Sequence, residues 1–472
     1  MSYKEICNMT AVDMADKIRT KQISAREVME AHLTQIENVN PRVNAIVTLH
    51  PELGLKGADA ADKAISKNES IGILHGLPTA HKDLAPTKGI RTTFGSKLFK
   101  DNIPDHNSLI VDRMQASGAV TIGKTNTPEF GAGSQTYNEV FGKTLNPYDT
   151  TRTCGGSSGG AAVSLATRML PIADGSDTGG SLRNPAGYCN VVGFRTSPGR
   201  VPMYPEKISW SPLSVHGPMA RNVEDCALFL AAIAGPDLRV PISISEPGDK
   251  FLEPLKRDFN GVRIAWSRDL GGLPVDPRTS AVIESQRVIF NNIGCDIEDV
   301  DPDLTHADET FLTWRGWARE LSQKDLLKNH RNELKETLVW DIERGVELSG
   351  PDIGEAEIKR TELFLNMNDF MNKYEFIICP VSQVPPFDVN QYWIEEINEI
   401  KMKNFIEWMK SCYYISATGH PAISVPCGFT PEGLPVGVQI VGRYRDELGV
   451  LQLAKAFEDA TGFWEKLPPV CD

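Results

Sequence analysis

The sequence has no cysteine pair at disulfide or metal-binding spacing. Its nine cysteines are scattered, and no CxxC pair occurs, so the pattern indicates neither a disulfide framework nor a zinc site. No stretch reaches the roughly 18 apolar residues of a membrane-spanning helix. The first residues also lack the apolar run of a secretion signal. We therefore expect reduced cysteines, a cytoplasmic location and no membrane partner.

Positive charge is scarce relative to negative charge. The chain has 49 Lys and Arg residues against 62 Asp and Glu residues, a net charge of -13. Nucleic acids and anionic membranes bind proteins through clustered positive charge. This balance opposes both as partners.

Segments with strand character alternate with segments of helical character along the chain. Residues 262–300 show a strand, a helix at about 279–292 and a further strand, and residues 422–460 show two apolar strands followed by an amphipathic helix. Such alternation predicts an α/β protein with helices on both faces of its sheet. No linker of low complexity interrupts it, so we expect a single domain over residues 1–472.

Two regions are predominantly helical. Residues 1–70 are expected to form N-terminal helices, and Ser24 with Glu27 matches a capping box at the start of one of them. The region 305–410 is long, charged and helical and contains five of the eight tryptophans. These aromatic residues fit either core packing or an aromatic substrate pocket for bulky groups.

A serine preceded by two glycines is the first candidate nucleophile. In the segment 177–181, the backbone N–H groups of residues 178–181 can converge on an anion, as the oxyanion hole of an acyl-transfer enzyme requires. The simpler interpretation is a glycine-rich turn or phosphate loop. A Walker loop would need Gly-Lys-Ser/Thr after its glycines, which is absent here.

Ser157 is a second candidate. Gly155–Gly159 matches the GxSxG pattern of an α/β-hydrolase elbow, which requires an apolar strand before it and a histidine after it. The preceding residues 146–152 are polar and turn-rich, which opposes this interpretation. Four downstream histidines have no distinctive setting: His216, His306, His330 and His420.

Lys82 follows the strand-like residues 76–80. A lysine there fits a salt bridge with Asp83, or a desolvated general base. The second role requires burial to lower its pKa from about 10.4 to about 7–8.

Several ordered blocks resemble the amidase signature family, and the resemblance extends across nearly the whole chain. The blocks are His81–Asp83, Gly123–Phe130, Gly155–Gly160, Asp177–Phe194, Gly217–Arg221, Gly419–Pro426 and Gly433–Gly442. The family fold implied is a large twisted mixed β-sheet covered by helices. The segment Arg195–Arg200 departs from the Lys-Pro-Thr pattern common in the family, outside the residues expected to react.

The resemblance implies a Ser–Ser–Lys triad that cleaves amides through an acyl-enzyme. Ser181 would be the nucleophile, Ser157 a proton relay with a cis peptide bond, and Lys82 the base. The remaining roles are the backbone oxyanion hole at Thr178, Gly179, Gly180 and Ser181, and orienting side chains at Ser158, Asp177 and Arg183. No metal or organic cofactor is implied.

The substrate is only broadly predicted. Bulky or aromatic amides, linear or cyclic, are expected, with carbamates (urethanes), anilides and esters as further candidates, and Gly133, Ser134 and Gln135 are predicted to contact the substrate. A homodimer is compatible with the sequence. Two alternatives stay open: a glutamine-amidotransferase-type subunit working in a complex, and an esterase of the α/β-hydrolase type with Ser157 as nucleophile.

Overall fold

A computed structural model describes residues 1–471 of the chain. The helices are α1 (Tyr3–Asn8), α2 (Ala11–Arg19), α3 (Ala25–Val43), α4 (Pro51–Ser66), α5 (Leu109–Ala116), α6 (Gly159–Ala166), α7 (Arg183–Tyr188), α8 (Val223–Ile233), α9 (Pro277–Ser285), α10 (Arg287–Ile293), α11 (Ala307–His330), α12 (Glu336–Val346), α13 (Gly350–Lys373), α14 (Lys410–Thr418) and α15 (Glu447–Thr461).

The strands are β1 (Ile46–Leu49), β2 (Pro78–Lys82), β3 (Val120–Thr125), β4 (Tyr137–Asn138), β5 (Gly142–Lys143), β6 (Ile172–Asp177), β7 (Val192–Arg195), β8 (Val215–Ala220), β9 (Arg263–Trp266), β10 (Asp296–Asp299), β11 (Phe376–Pro380), β12 (Glu396–Ile397), β13 (Ile400–Lys401), β14 (Ala422–Phe429) and β15 (Pro435–Gly442).

An eight-stranded mixed sheet forms the centre of the molecule. Its strand order is β10-β9-β11-β15-β14-β7-β8-β6. β9 runs parallel to β10 and β11, and every other neighbouring pair is antiparallel. The predicted α/β class with a large mixed sheet is confirmed.

Two glycines on β15 show that helices cover both faces of this sheet. A Cβ at Gly437 would lie 2.7 Å from Gly187 on α7, whereas a Cβ at Gly442 would lie 2.3 Å from Val450 on α15. Residues five apart on a strand face opposite sides. The small residues therefore let α7 and α15 approach the sheet from opposite directions.

A second sheet of three strands, in the order β1-β3-β2, carries Lys82 at the end of β2. β2 packs beside β6 of the large sheet, and the Thr79 hydroxyl donates to the main-chain oxygen of Ile172 at 3.3 Å. This contact places the end of β2 next to the end of β6. Both strand ends supply residues to the site described below.

The helical segments follow the sequence pattern with one difference. The capping box at Ser24 and Glu27 is present at the start of α3. The helix expected at about 279–292 is two helices, α9 and α10, which meet at Gln286. There the N–H of Gln286 donates to the main-chain oxygen of Ile283, three residues earlier, and this short hydrogen bond tightens the turn. None of the helices within residues 1–471 is long and apolar enough to cross a membrane.

Candidate active site

Three segments converge at the ends of β2 and β6. The buried Nζ of Lys82 lies 2.7 Å from Ser157 Oγ, 2.8 Å from Ser158 Oγ and 3.1 Å from Ser176 Oγ. Ser157 and Ser158 immediately precede α6, and the Gly156–Ser157 peptide bond is cis. The amine is thus surrounded by hydroxyls that can exchange protons with it.

Burial sets the charge of Lys82. The side chain is 1% exposed, and desolvation lowers its pKa to about 7, against the opposing effect of Asp174 and Asp177. The salt bridge with Asp83 that the sequence left open does not form. The Asp83 carboxylate instead accepts from the N–H and hydroxyl of Thr93.

Asp174 fixes the end of β2 from the neighbouring strand. Its Oδ1 lies 2.8 Å from His81 Nδ1, and its Oδ2 accepts from the N–H of Lys82 at 3.3 Å. Burial opposes ionisation of this carboxyl, but its interactions with His81 and Lys124 outweigh burial and lower the pKa of Asp174. The carboxylate therefore orients the lysine backbone.

Ser181 lies on the turn between β6 and α7. Within residues 1–471 its hydroxyl makes no hydrogen bond, and the residue lines a cavity of about 250 Å³ that also reaches Ser157. The hydroxyl is therefore free to meet a ligand in the cavity. Ser157, which also lines that cavity, connects it to Lys82.

The amides of the turn differ from the expected four-membered nest. The N–H of Gly180 donates to Asp177 Oδ1 at 2.7 Å, so this amide is engaged with a protein acceptor, and its place in the oxyanion hole stays a prediction. Among the described residues, the N–H groups of Thr178, Gly179 and Ser181 have no acceptor, and all three residues line the cavity. These amides can receive developing negative charge.

Asp177 holds the turn through two buried arginines. Its carboxylate oxygens lie 3.1 Å from Nε of Arg183 and 3.1 Å from Nη1 of Arg195. Burial opposes ionisation, but the two guanidinium groups outweigh it and keep the pKa of Asp177 well below its usual range. Arg183 was expected here. Arg195 was not expected here, although it begins the segment Arg195–Arg200 that departs from the family pattern.

Two of the three residues predicted to contact the substrate line the cavity, and the contacts themselves stay a prediction. Gly133 and Ser134 line the cavity. Gln135 does not, and its amide donates to the main-chain oxygen of Gln391 instead.

The tryptophans of region 305–410 do not line the cavity. Trp408 is buried against Phe387, and Trp340 packs on Phe405, which favours core packing over an aromatic pocket built from tryptophan. The aromatic lining comes from Phe130 and Phe311 instead.

Several lining residues were missed by sequence reasoning. Ser176 shares a face of β6 with Asp174, as strand alternation requires, and that spacing could have indicated it. His216, one of the four histidines without a distinctive setting in the sequence, lies opposite Ser176 on β8. It lines the cavity, and its Nδ1 has no partner among the described residues. Glu206, Arg315 and Arg319 also line it, and they come from segments distant in sequence.

The family model for amidases matches residues 27–451. An acylamidase from Rhodococcus erythropolis is 35% identical, with 99% of this chain and 98% of the relative covered. A glutamyl-tRNA(Gln) amidotransferase subunit from Caldanaerobacter subterraneus subsp. tengcongensis is 32% identical over 97% of this chain and 98% of its own. The crystal structure of a bacterial aryl acylamidase superposes with a TM-score of 0.91, at 29% identity and 98% coverage of both chains.

These similarities and the site together define the class of the protein. The chain belongs to the amidase signature family. It is an amidohydrolase that cleaves C–N bonds of the amide type.

Proposed function

We propose that the chain hydrolyses amides through Ser181, Ser157 and Lys82. The observation that carries this proposal is the 2.7 Å contact between Lys82 Nζ and Ser157 Oγ, with the amine buried and its pKa lowered to about 7. A lysine of this pKa is substantially neutral near neutral pH and can accept a proton. The unpartnered hydroxyl of Ser181 on the cavity wall is the nucleophile.

Proton transfer follows the chain of side chains. As Ser181 Oγ attacks the carbonyl carbon, its proton passes to Ser157, and the proton of Ser157 passes to Lys82. The free amides of Thr178 and Gly179 stabilise the oxyanion. The relay then returns a proton to the leaving nitrogen, and the C–N bond breaks. Water attacks the acyl-enzyme by the same relay and releases the acid.

The lining of the cavity supports amides with bulky or aromatic parts, linear or cyclic. Phe130, Phe311, Leu213 and Met409 supply apolar surface beside Ser181. The same acyl-enzyme chemistry extends to anilides, esters and carbamates. A carbamate would lose its alcohol and leave a carbamoyl-enzyme, whose hydrolysis gives a carbamic acid that breaks down to an amine and carbon dioxide.

Similarity to amidotransferase subunits favours a second candidate, in which the chain releases ammonia from glutamine within a complex. The elbow-type esterase has less support. Ser157 is not preceded by a strand, since β5 ends at Lys143, and its hydroxyl faces Lys82 rather than a histidine.

The test is hydrolysis of an acyl anilide, a matched aryl carbamate and glutamine by the purified chain. We expect release of the aryl amine, and a loss of about 10²–10⁴-fold in kcat for Ser181→Ala, Ser157→Ala and Lys82→Ala, with Ser285→Ala on the exposed end of α9 as the matched control. Ammonia release from glutamine only with partner subunits would favour the second candidate. Loss in His216→Ala but not Lys82→Ala would favour the esterase.

A further inference from the structure

The charged residues that line the cavity differ in whether they have partners. Arg315 Nε donates to Asp341 Oδ1 at 2.8 Å, and Arg319 Nη1 donates to the main-chain oxygen of Phe130 at 2.9 Å. Glu206 lines the same cavity. Within residues 1–471 its carboxylate has neither a hydrogen bond nor an ion pair. Both arginines are therefore committed to protein groups, and the carboxylate is not.

Glu206 also lines a second, smaller cavity of about 130 Å³. Its walls are mixed: Val201, Ile208, Val240 and Ile242 supply apolar surface, and four serines supply hydroxyl groups. Glu206 is the one charged residue that lines it among those the structure describes. Met203, Ala318 and Ser322 belong to both cavities, as Glu206 does. The carboxylate thus lies at the junction of the two spaces, and Ser181 lines the first alone.

The segment that carries Glu206 is anchored by two hydrogen bonds at and just after this residue. Lys207 Nζ donates to the main-chain oxygen of Ser322 on α11 at 3.2 Å, and Ser209 Oγ donates to the main-chain oxygen of Glu206 at 3.2 Å. Glu206 is an exposed residue, so a ligand can reach its carboxylate. A cation beside the carboxylate would gain a charge-assisted hydrogen bond.

We propose that Glu206 is a specificity-determining residue that binds an ammonium group on the amide substrate, away from the scissile bond. The inference rests on the proposed function and names its substrate class: amides that bear an alkylated ammonium. The ammonium lies at the junction of the cavities, and its apolar substituents extend into the second cavity. Neutral amides remain substrates, because Ser181 and its relay do not involve Glu206.

A matched pair of anilides tests this inference. The two compounds differ only at the end of the acyl chain, where one carries dimethylammonium and the other an isosteric isopropyl group, over a series of linker lengths. We expect the unmodified protein to favour the ammonium compound by about 10-fold in kcat/KM at the best linker length, chiefly through KM. Glu206→Gln should reduce this ratio to within about twofold, mainly through a lower kcat/KM for the ammonium compound.

Two further variants sharpen the result. Glu37→Gln removes an exposed carboxylate on α3 and should keep the preference, whereas Glu206→Lys should reverse it in favour of a carboxylate analogue. Equal effects of Glu206→Gln on both compounds, or no effect on either, would overturn the assignment. Acylation of Ser181 by a neutral reagent is measured in parallel on every variant, so that a failure of the proposed chemistry is seen separately from a failure of ammonium recognition.

Discussion

Lys82 obtains its reactivity from the residues around it. Its side chain is almost completely buried, and the charges that face it come from Asp174, Asp177 and Arg319. The acidic residues favour the protonated amine and Arg319 opposes it, while desolvation has the largest effect. The resulting pKa of about 7 suits a group that must accept a proton at neutral pH.

The pH profile of the reaction tests this environment. Because only neutral Lys82 accepts a proton, kcat/KM should rise with pH through a midpoint at about 7 and then level off. Arg319→Gln removes a positive charge that disfavours the protonated amine, so the midpoint should move to higher pH, whereas exposed Arg331→Gln should not move it. A profile that falls with pH, or one with its midpoint near 4, would contradict the base role.

Asp177 is expected to be a large contributor to stability, because two buried arginines depend on it. Asp177→Asn leaves Arg183 and Arg195 without their anion, and we expect the free energy of unfolding to fall by about 3–5 kcal/mol in urea denaturation. The matched control is Asp299→Asn, which removes an exposed carboxylate also paired with two arginines, Arg268 and Arg287. That change should cost at most about 1 kcal/mol. Equal losses of unfolding free energy in the two variants would show that burial of the ion pairs does not determine their contribution to stability.

A site residue could be predicted from the sequence when the residues that define its role lie close to it along the chain. Ser157 and Ser181 lie in glycine-rich motifs, and Lys82 in a strand-end block, so their chemistry is visible in short stretches. Arg195 and Glu206 become important only through distant partners: Arg195 reaches Asp177 across the sheet, and Glu206 meets α11 at a cavity junction. The engaged amide of Gly180 likewise depends on the side-chain rotamer of Asp177, which no motif encodes.

The turn between β6 and α7 is packed tightly from outside. A Cβ at Gly179 would lie 2.5 Å from Phe311 on α11 and 3.1 Å from Tyr413 on α14, and these two rings stack on each other at 4.4 Å. Gly180 has a φ of 126°, which only glycine adopts readily. The two helices therefore determine where the free amides of the turn lie.

Gly179→Ala tests this packing. The added methyl should displace the turn and lower kcat on an anilide by about 10²-fold, since one oxyanion donor is worth that much, with little change in far-UV circular dichroism. Gly354→Ala on α13 is the control, because a Cβ there meets nothing within 4 Å. It should keep full activity and stabilise the helix by about 0.5–1 kcal/mol. Full activity of Gly179→Ala would show that the turn tolerates displacement.

At the level of elements, local sequence patterns predicted which helices and strands exist better than they predicted where each one begins and ends. The capping box of α3 and the apolar strands β14 and β15 were recognisable, because side-chain periodicity and caps act within a few residues. The break between α9 and α10 was not, because Gln286 carries no breaker signal. The strand order of the sheet was also beyond the sequence, since it depends on pairings such as β15 with β11, about 60 residues apart.

At the scale of the whole molecule, we propose that residues 1–472 form one cooperative domain. The region 305–410 packs on the rest through α14, whose Cys412 contacts the active-site turn at Gly180, and through β11 in the central sheet. Because these contacts are shared, we expect region 305–410 and the rest of the chain to unfold together.

Unfolding monitored by two probes tests this proposal. Tryptophan fluorescence is dominated by region 305–410, which has five of the eight tryptophans, whereas far-UV circular dichroism reports on the whole chain. We expect the two urea transitions to coincide in midpoint and slope. A fluorescence transition that precedes the other by a clear interval would show that the region unfolds independently.

The central claim is that Ser181 becomes acylated with the help of Lys82, and labelling with a fluorophosphonate tests it most directly. Intact mass followed by peptide mapping should show a single adduct on Ser181, and Lys82→Ala should lose it while keeping its fold by circular dichroism. An adduct on Ser157, or labelling that persists without Lys82, would contradict the account.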